Sequence, residues 1–349
     1  MNSVQLRKKR NSSIDLFRYL AAFMVVIIHS NFWGDWGNFG FYIGNVFTRI
    51  AVPFFFATSG YFYIKALLTN QKIFLKQLFR IFTIYFLWSV VYCFLDFFNQ
   101  IILDNGQLIP FFKKIAINFF IFGSTGHFWY FPAIIISLCL VTLIHKFHLT
   151  KTLIPLSLVL YILGCLGCSY TKLFDSVPII SNLFSFEYFN TIRRIFLMAF
   201  PFFSMGYLLI KLETKECLKN NKTLLAAWLF TSILFLVETY LVIYLKIQGT
   251  IVLTFSLYLL LLITMLFLLN NPLNEYKNIS SASRTIANLT YYSHPLIQLF
   301  FTLFMEKTGL RIADIIVFSA TITITFVIGL ICHVIIKYKN WKLIKLIIG

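Results

Sequence analysis

Residues 14–30 read IDLFRYLAAFMVVIIHS. Most of this stretch is apolar enough to lie in hydrocarbon, yet Asp15 and Arg18 stand near its start and His29 near its end. On an α-helix the steps from Arg18 to His29 turn through about 1100°, three full turns and a small remainder, so the two side chains share a face. They are about 16 Å apart along the axis, and Asp15 lies within about 60° of Arg18. Ionisable groups inside a bilayer are costly and face a bundle interior or a wet cavity. The fork of an arginine suits phosphate, and histidine is the side chain best poised for proton transfer near neutral pH. The stripe therefore reads as an anion site at one end and proton-transfer chemistry at the other. Taken singly, each residue has a plainer reading: an interfacial ion pair, or a packed histidine.

The rest of the chain sets that helix in a membrane. Of 349 residues 59% are hydrophobic and 12% charged, about half the charged share of a soluble domain. Apolar runs long enough to cross a hydrocarbon core about 30 Å thick recur throughout. Spans are expected at 14–33, 46–68, 78–98, 127–147, 152–170, 193–211, 223–243, 250–270, 286–305 and 313–336. The expected fold class is thus an all-α integral membrane bundle of about ten transmembrane helices. Segment 105–126, NGQLIPFFKKIAINFFIFGSTG, is broken by Lys113 and Lys114 and is expected to lie at the interface.

A formal charge of +18 on a soluble chain would point to nucleic acid. Here the cations sit in short loops, and topology explains them without a nucleic-acid partner. Twenty of the thirty lie at the N-terminus, in alternate loops and in the tail, against nine on the other side. The positive-inside rule then places both termini in the cytoplasm. Residues 1–349 read as one transmembrane domain, with 1–13 a cytoplasmic N-terminus and 337–349 a cytoplasmic basic tail. The first apolar run follows RKKR without a small-residue cleavage site, so it is expected to be retained. Cys165 and Cys168 form a CxxC inside an apolar run and read as packing residues, with no metal expected. There is no Walker-type loop, HExxH, GxSxG or Cys/His zinc spacing.

Other polar marks interrupt the apolar runs. TRIAVPFFFATSGYF (48–62) carries Arg49 and Pro53, and its Ser59-Gly60 reads as a close helix contact. STGHFWYFPA (124–133) brings His127 to about the depth of His29, where two imidazoles could share acid and base roles. RIFLMAFPFFSMGYLL (194–209) reads as a kinked packing helix with Pro201 and Gly206. In TYYSHPLI (290–297), Pro295 frees a carbonyl one turn earlier, which Tyr291, Tyr292 or Ser293 could satisfy; His294 reads as structural. Asp96, Glu238 or Asp35 could orient His29 by accepting its second N–H.

Together these segments resemble the acyltransferase-3 family of bacterial integral-membrane O-acyltransferases, over essentially the whole chain. The most specific element is an arginine, ten residues and a histidine in the first helix, here Arg18 and His29. RIAVPFFFATSGYF, HFWYFPA, FPFFSMGYLL and YYSHPLI are similar to later family elements and follow in order. The resemblance implies acyl transfer from cytoplasmic acyl-CoA, usually acetyl-CoA, to a hydroxyl of an extracytoplasmic glycan or other envelope molecule at the bacterial cytoplasmic membrane. It implies that Arg18 helps hold CoA, with Arg80, Arg49 and Lys76 as further candidates. His29 would be the catalytic histidine, as general base or acylated nucleophile, with His127 and Asp15 as additional catalytic candidates. Two departures stand out. HFWYFPAIIISL lacks the glutamate-rich continuation many members carry, and KQLFRIFTIYF lacks the proline that often follows the basic cluster. Members with a fused esterase-like or racemase domain have a long C-terminal extension; this chain stops soon after its last expected span, so it is expected to act alone or with a partner. The rival class is a transporter or flippase for a glycan or amino acid, which explains buried charges but requires no arginine–histidine spacing.

Overall fold

The computed structural model describes residues 11–30, 36–70, 72–98, 107–185, 188–247, 251–273, 276–339 and 341–348. The described residues are helical with no strand. In chain order the helices are α1 (Ser12–Ile28), α2 (Gly37–Asn45), α3 (Ala51–Leu67), α4 (Ile73–Phe97), α5 (Leu108–Ile117), α6 (Tyr130–Lys146), α7 (Leu153–Leu166), α8 (Pro178–Ser185) and α9 (Phe189–Ile192). They continue as α10 (Phe200–Glu213), α11 (Asn221–Tyr244), α12 (Phe255–Asn270), α13 (Lys277–Thr308), α14 (Asp314–Lys339) and α15 (Lys342–Ile348). A 3-10 turn, Phe47–Ile50, joins α2 to α3, and a π-helical stretch, Arg193–Ala199, joins α9 to α10.

Helices lie within the segments read as spans, of which residues 31–33 and 250 fall outside the described residues. Among the described residues, five helical segments are long and apolar enough to cross a membrane: Phe39–Leu67, Ile73–Phe97, Phe189–Glu213, Asn221–Tyr244 and Asp314–Lys339. The apolar helical segment of the second expected span therefore begins at Phe39 rather than 46, because α2 and the 3-10 turn lead directly into α3. The outward faces of α4 and α11 are apolar: Phe79, Phe94 and Phe230 are each about two-thirds exposed. A face of this kind needs lipid as its solvent. α5 has 10 residues, about 15 Å of helix and too short to cross. It exposes Ile109 and Phe112 beside Lys113 and Lys114, the pattern expected of a helix at the interface.

The chain divides into two compact units. One gathers Met1–Ala51, Leu212–Phe230 and Ile263–Asn340; the other gathers Val52–Lys211, Thr231–Leu262 and Trp341–Gly349.

In the first unit α1 packs along α13, and α13 along α14. Asn11 starts α1 by accepting from the Ile14 N–H at 3.2 Å, while its amide donates to the Leu268 carbonyl at 2.9 Å. Asp15 is buried. It accepts from Ser280 Oγ at 2.8 Å and from Arg18 Nη1 at 3.4 Å, and Arg284 Nη2 lies 3.6 Å from its other side. Asp15 thus ties the start of α1 to the start of α13, while His29 meets His294 further along both, so the two helices run parallel. Tyr19 faces Phe326 and Phe23 faces Phe318, so α14 runs antiparallel to α1. Gly329 lets α14 approach closely: a Cβ there would lie 2.9 Å from the Cα of Ile286.

The second unit is built on aromatic packing, with Phe54, Phe56, Phe128, Phe200, Phe202 and Phe203 fully buried. Its tightest crossing joins α3 and α10. A Cβ on Gly60 would lie 1.9 Å from the Phe203 carbonyl oxygen, and one on Gly206 would lie 2.4 Å from the backbone of Gly60 and Tyr61. The Ser59-Gly60 pair therefore serves close packing, as its sequence indicated. In the span containing Pro201, a π-helical stretch, Arg193–Ala199, precedes the proline. Glu238 accepts from the Tyr170 hydroxyl, from Ser256 Oγ and from the Phe255 and Ser256 N–H groups at 2.8 and 2.7 Å, so it caps the N-terminus of α12. Cys165 and Cys168 are buried and not joined in a disulfide, and Arg193 Nη1 lies 2.7 Å from Cys168 Sγ. Of the expected basic tail, 342–348 form α15, whose Ile347 carbonyl accepts from the Trp88 indole at 3.0 Å.

Two outcomes test this packing. Gly60→Ala or Gly206→Ala forces backbones apart and is expected to cost about 1–3 kcal/mol. It should lower the melting temperature of the detergent-solubilised protein, whereas Gly126→Ala, whose Cβ meets nothing within 4 Å, should not. Asp15→Asn leaves two guanidiniums without their buried counter-charge and is expected to cost about 3 kcal/mol. An unchanged melting temperature would mean that Asp15 does not hold α1 to α13.

Candidate functional site

The first unit assembles a site along one face of α1. At its start, two arginines from neighbouring helices share one carboxylate. Asp15 is almost covered, while the side chains of Arg18 and Arg284 keep 19% and 29% of their surface accessible. A carboxylate buried between two partly accessible guanidiniums fixes their forks and leaves the cluster one positive charge in excess, the pattern that suits an oxyanion. Arg284 was legible in the sequence only as a loop cation. Its approach to Asp15 depends on the parallel pairing of α1 and α13, which no local motif records.

At the far end α1 stops at His29, whose N–H still bonds back to the Val25 and Val26 carbonyls. The ring Nδ1 lies 2.9 Å from the Val25 carbonyl oxygen. A carbonyl only accepts, so Nδ1 carries the proton and Nε2 holds the basic lone pair in the neutral ring. The orienting acceptor is therefore the helix's own backbone rather than a carboxylate. Glu238 is committed to the start of α12, and Asp35 lies outside the described residues. His29 is exposed.

Across from it stands His294, fully buried on α13, with ring centroids 5.2 Å apart. Pro295 cannot donate to the Tyr291 carbonyl. His294 Nδ1 lies 3.0 Å from that oxygen and 3.0 Å from the Thr290 carbonyl oxygen. The freed carbonyl is thus met by the histidine itself, and Ser293 Oγ instead donates to Leu289 at 2.8 Å.

The remaining candidates fall elsewhere. Asp15 lies fourteen residues before His29, about 21 Å along the helix, so it does not reach the imidazole. Arg49 sits in the 3-10 turn that packs on α1; its guanidinium bonds to the carbonyl and side-chain oxygens of Asn45 at 2.8 and 2.9 Å. Ile43, just before it, packs on Val26 and Ile27, so Arg49 belongs to the His29 end and is apart from Arg18. Lys76 and Arg80 are exposed on α4 in the second unit. His127, also in the second unit, is buried against Tyr92 and Phe128, with Nδ1 3.0 Å from Thr125 Oγ1. In that same motif Trp129 stacks under the Arg194 guanidinium at 5.3 Å. The sequence reading did not pair these two.

The chain matches the acyltransferase domain of the acyltransferase-3 family over residues 11–334. It is 34% identical over 190 residues to an amino-acid racemase of Enterococcus faecalis, covering 51% of this chain and 26% of the relative. It is 34% identical over 185 residues to a serine/alanine racemase of Enterococcus gallinarum, covering 49% of this chain and 25% of the relative. The chain thus spans about a quarter of the length of the curated relatives it matches. No solved structure matches. With nearly every residue inside the matched region, this chain belongs to the acyltransferase-3 family, and its described residues include apolar helices long enough to cross a bilayer.

Proposed function

We propose that the protein transfers an acyl group, expected to be acetyl, from cytoplasmic acyl-CoA to a hydroxyl of an extracytoplasmic envelope or surface polysaccharide. Its place would be the bacterial cytoplasmic membrane, crossed ten times with both termini inside. The observation that carries this reading is one helix with an arginine cluster at its start and an accessible imidazole at its end. Arg18 and Arg284, held by Asp15, suit the phosphates of the donor. The separation of about 16 Å between Arg18 and His29 suits an extended pantetheine arm that brings the thioester to the imidazole. The parallel run of α1 and α13 supports the topology, since the first and ninth of ten spans cross in the same direction.

In the proposed step the acceptor hydroxyl gives its proton to His29 Nε2 and its oxygen bonds to the acyl carbon. The carbon–sulfur bond breaks, and the thiolate takes the proton back from His29, leaving free thiol, acylated acceptor and neutral imidazole. Arg49 adds positive charge at the end where the thioester carbonyl gains negative charge.

A second reading is favoured by the names of the curated relatives, which are racemases of amino acids. On that reading the chain moves an amino acid or glycan across the bilayer without acyl transfer.

Radiolabelled acetyl-CoA, purified protein in liposomes and envelope extract separate the two. Wild type should label a glycan, and His29→Ala should lower labelling by at least about 10²-fold while keeping its melting temperature. Arg18→Ala and Arg284→Ala should each raise KM for the donor about tenfold, equivalent to about 1.4 kcal/mol, with KM for the acceptor unchanged. Full turnover by His29→Ala would remove the histidine from the reaction. Net flux of an amino acid without any donor would establish the transport reading.

A further inference from the structure

The sequence HP at 294–295 explains itself once the geometry is known. Proline removes a donor from the helix and leaves the Tyr291 carbonyl bare; the preceding histidine turns its ring back along the helix and supplies the missing proton from Nδ1. That bond, with its partner to Thr290, fixes the tautomer of His294 and the plane of its ring. On α1, His29 obeys the same rule through Val25. Two imidazoles therefore face each other, both carrying a proton on Nδ1, at a centroid distance of 5.2 Å and an interplanar angle of 51°. Their exposures differ completely: His294 has none, while His29 is accessible. Only His29 can meet a substrate. His294 lies behind it, with the Tyr291 ring on its own flank at 6.5 Å.

We propose that His294 is a positioning residue for His29: its buried ring, locked by the donor vacancy that Pro295 creates, packs against the His29 ring and fixes the direction in which Nε2 is offered to the acceptor hydroxyl. This rests on the reading that His29 takes the acceptor's proton. A single hydrogen bond to Val25 leaves the His29 ring free to rock about that contact, and the aromatic contact removes this freedom. A misplacement of about 1 Å at a reacting group costs up to about 10²-fold in rate, so loss of the packing ring should appear in kcat. It should leave KM for either substrate alone, because His294 touches neither.

The test must separate this role from simple support of the helix at Pro295. His294→Asn keeps a side-chain N–H near the place of Nδ1, so the Tyr291 carbonyl retains a donor, but it removes the outer half of the ring. His294→Gln offers a second variant if the first fails to accumulate. Each is examined in two ways in the full-length protein: kcat and KM for acyl transfer, and the site-resolved rate at which diethyl pyrocarbonate modifies His29, which needs no substrate. The expected result is a melting temperature near wild type, kcat lower by about tenfold or more, KM values within twofold, and a change of at least threefold in the His29 modification rate. Wild-type kcat in His294→Asn, or an unchanged modification rate, would overturn the proposal and leave His294 as a helix support. If wild type transfers no acyl group at all, the reading of the reaction has failed, and the modification rate alone decides whether His294 positions His29.

Discussion

A carboxylate taken out of water at the start of an apolar helix is tolerated only when donors and cations surround it. Asp15 meets this condition with one residue from its own helix and two from α13: Arg18, Ser280 and Arg284. Everything else in the first unit depends on that solution. It sets the register of α1 against α13 and makes the two helices parallel. The same register, carried up the pair, brings His29 opposite His294. A different pairing would leave a buried charge without partners and two imidazoles without each other.

The chemistry at the far end is set by bonds from the imidazoles to backbone carbonyls. The Val25 carbonyl already accepts from the His29 N–H, and the His29 ring adds a second bond to it. Inside α13 the proline removes the donor to the Tyr291 carbonyl, and the His294 ring supplies one. Both rings are thereby held in one tautomer without any carboxylate. An uncharged orienting group is well suited to a low-dielectric setting, because it adds no second charge to be desolvated. Of the carboxylates named from the sequence, Glu238 is spent on the start of α12.

The second unit solves a different problem, the close approach of helices in a solvent that gives no hydrophobic reward for their association. Gly60 and Gly206 remove the side chains at the α3–α10 crossing, so backbone meets backbone and dispersion contacts replace hydrophobic burial. Around that crossing the aromatic rings fill the interior, and the outward faces of α4 and α11 are left apolar for lipid.

The all-helical membrane character, the shared face of Arg18 and His29, the packing role of Ser59-Gly60 and the family were all legible in the sequence, because each depends on periods and spacings within a single segment. Composition and helical geometry act locally, and one chain suffices to read them. The partners were not legible. That Asp15 sits with Arg284 and Ser280 instead of serving His29, and that His294 faces His29, both follow from which helix lies beside α1 and in which register. That choice is made by burial of charge and by side-chain fit over residues more than 250 positions apart, and no spacing in the sequence encodes it. The sequence by itself determined which helix carries the chemistry; only the tertiary structure decided which residues stand around it.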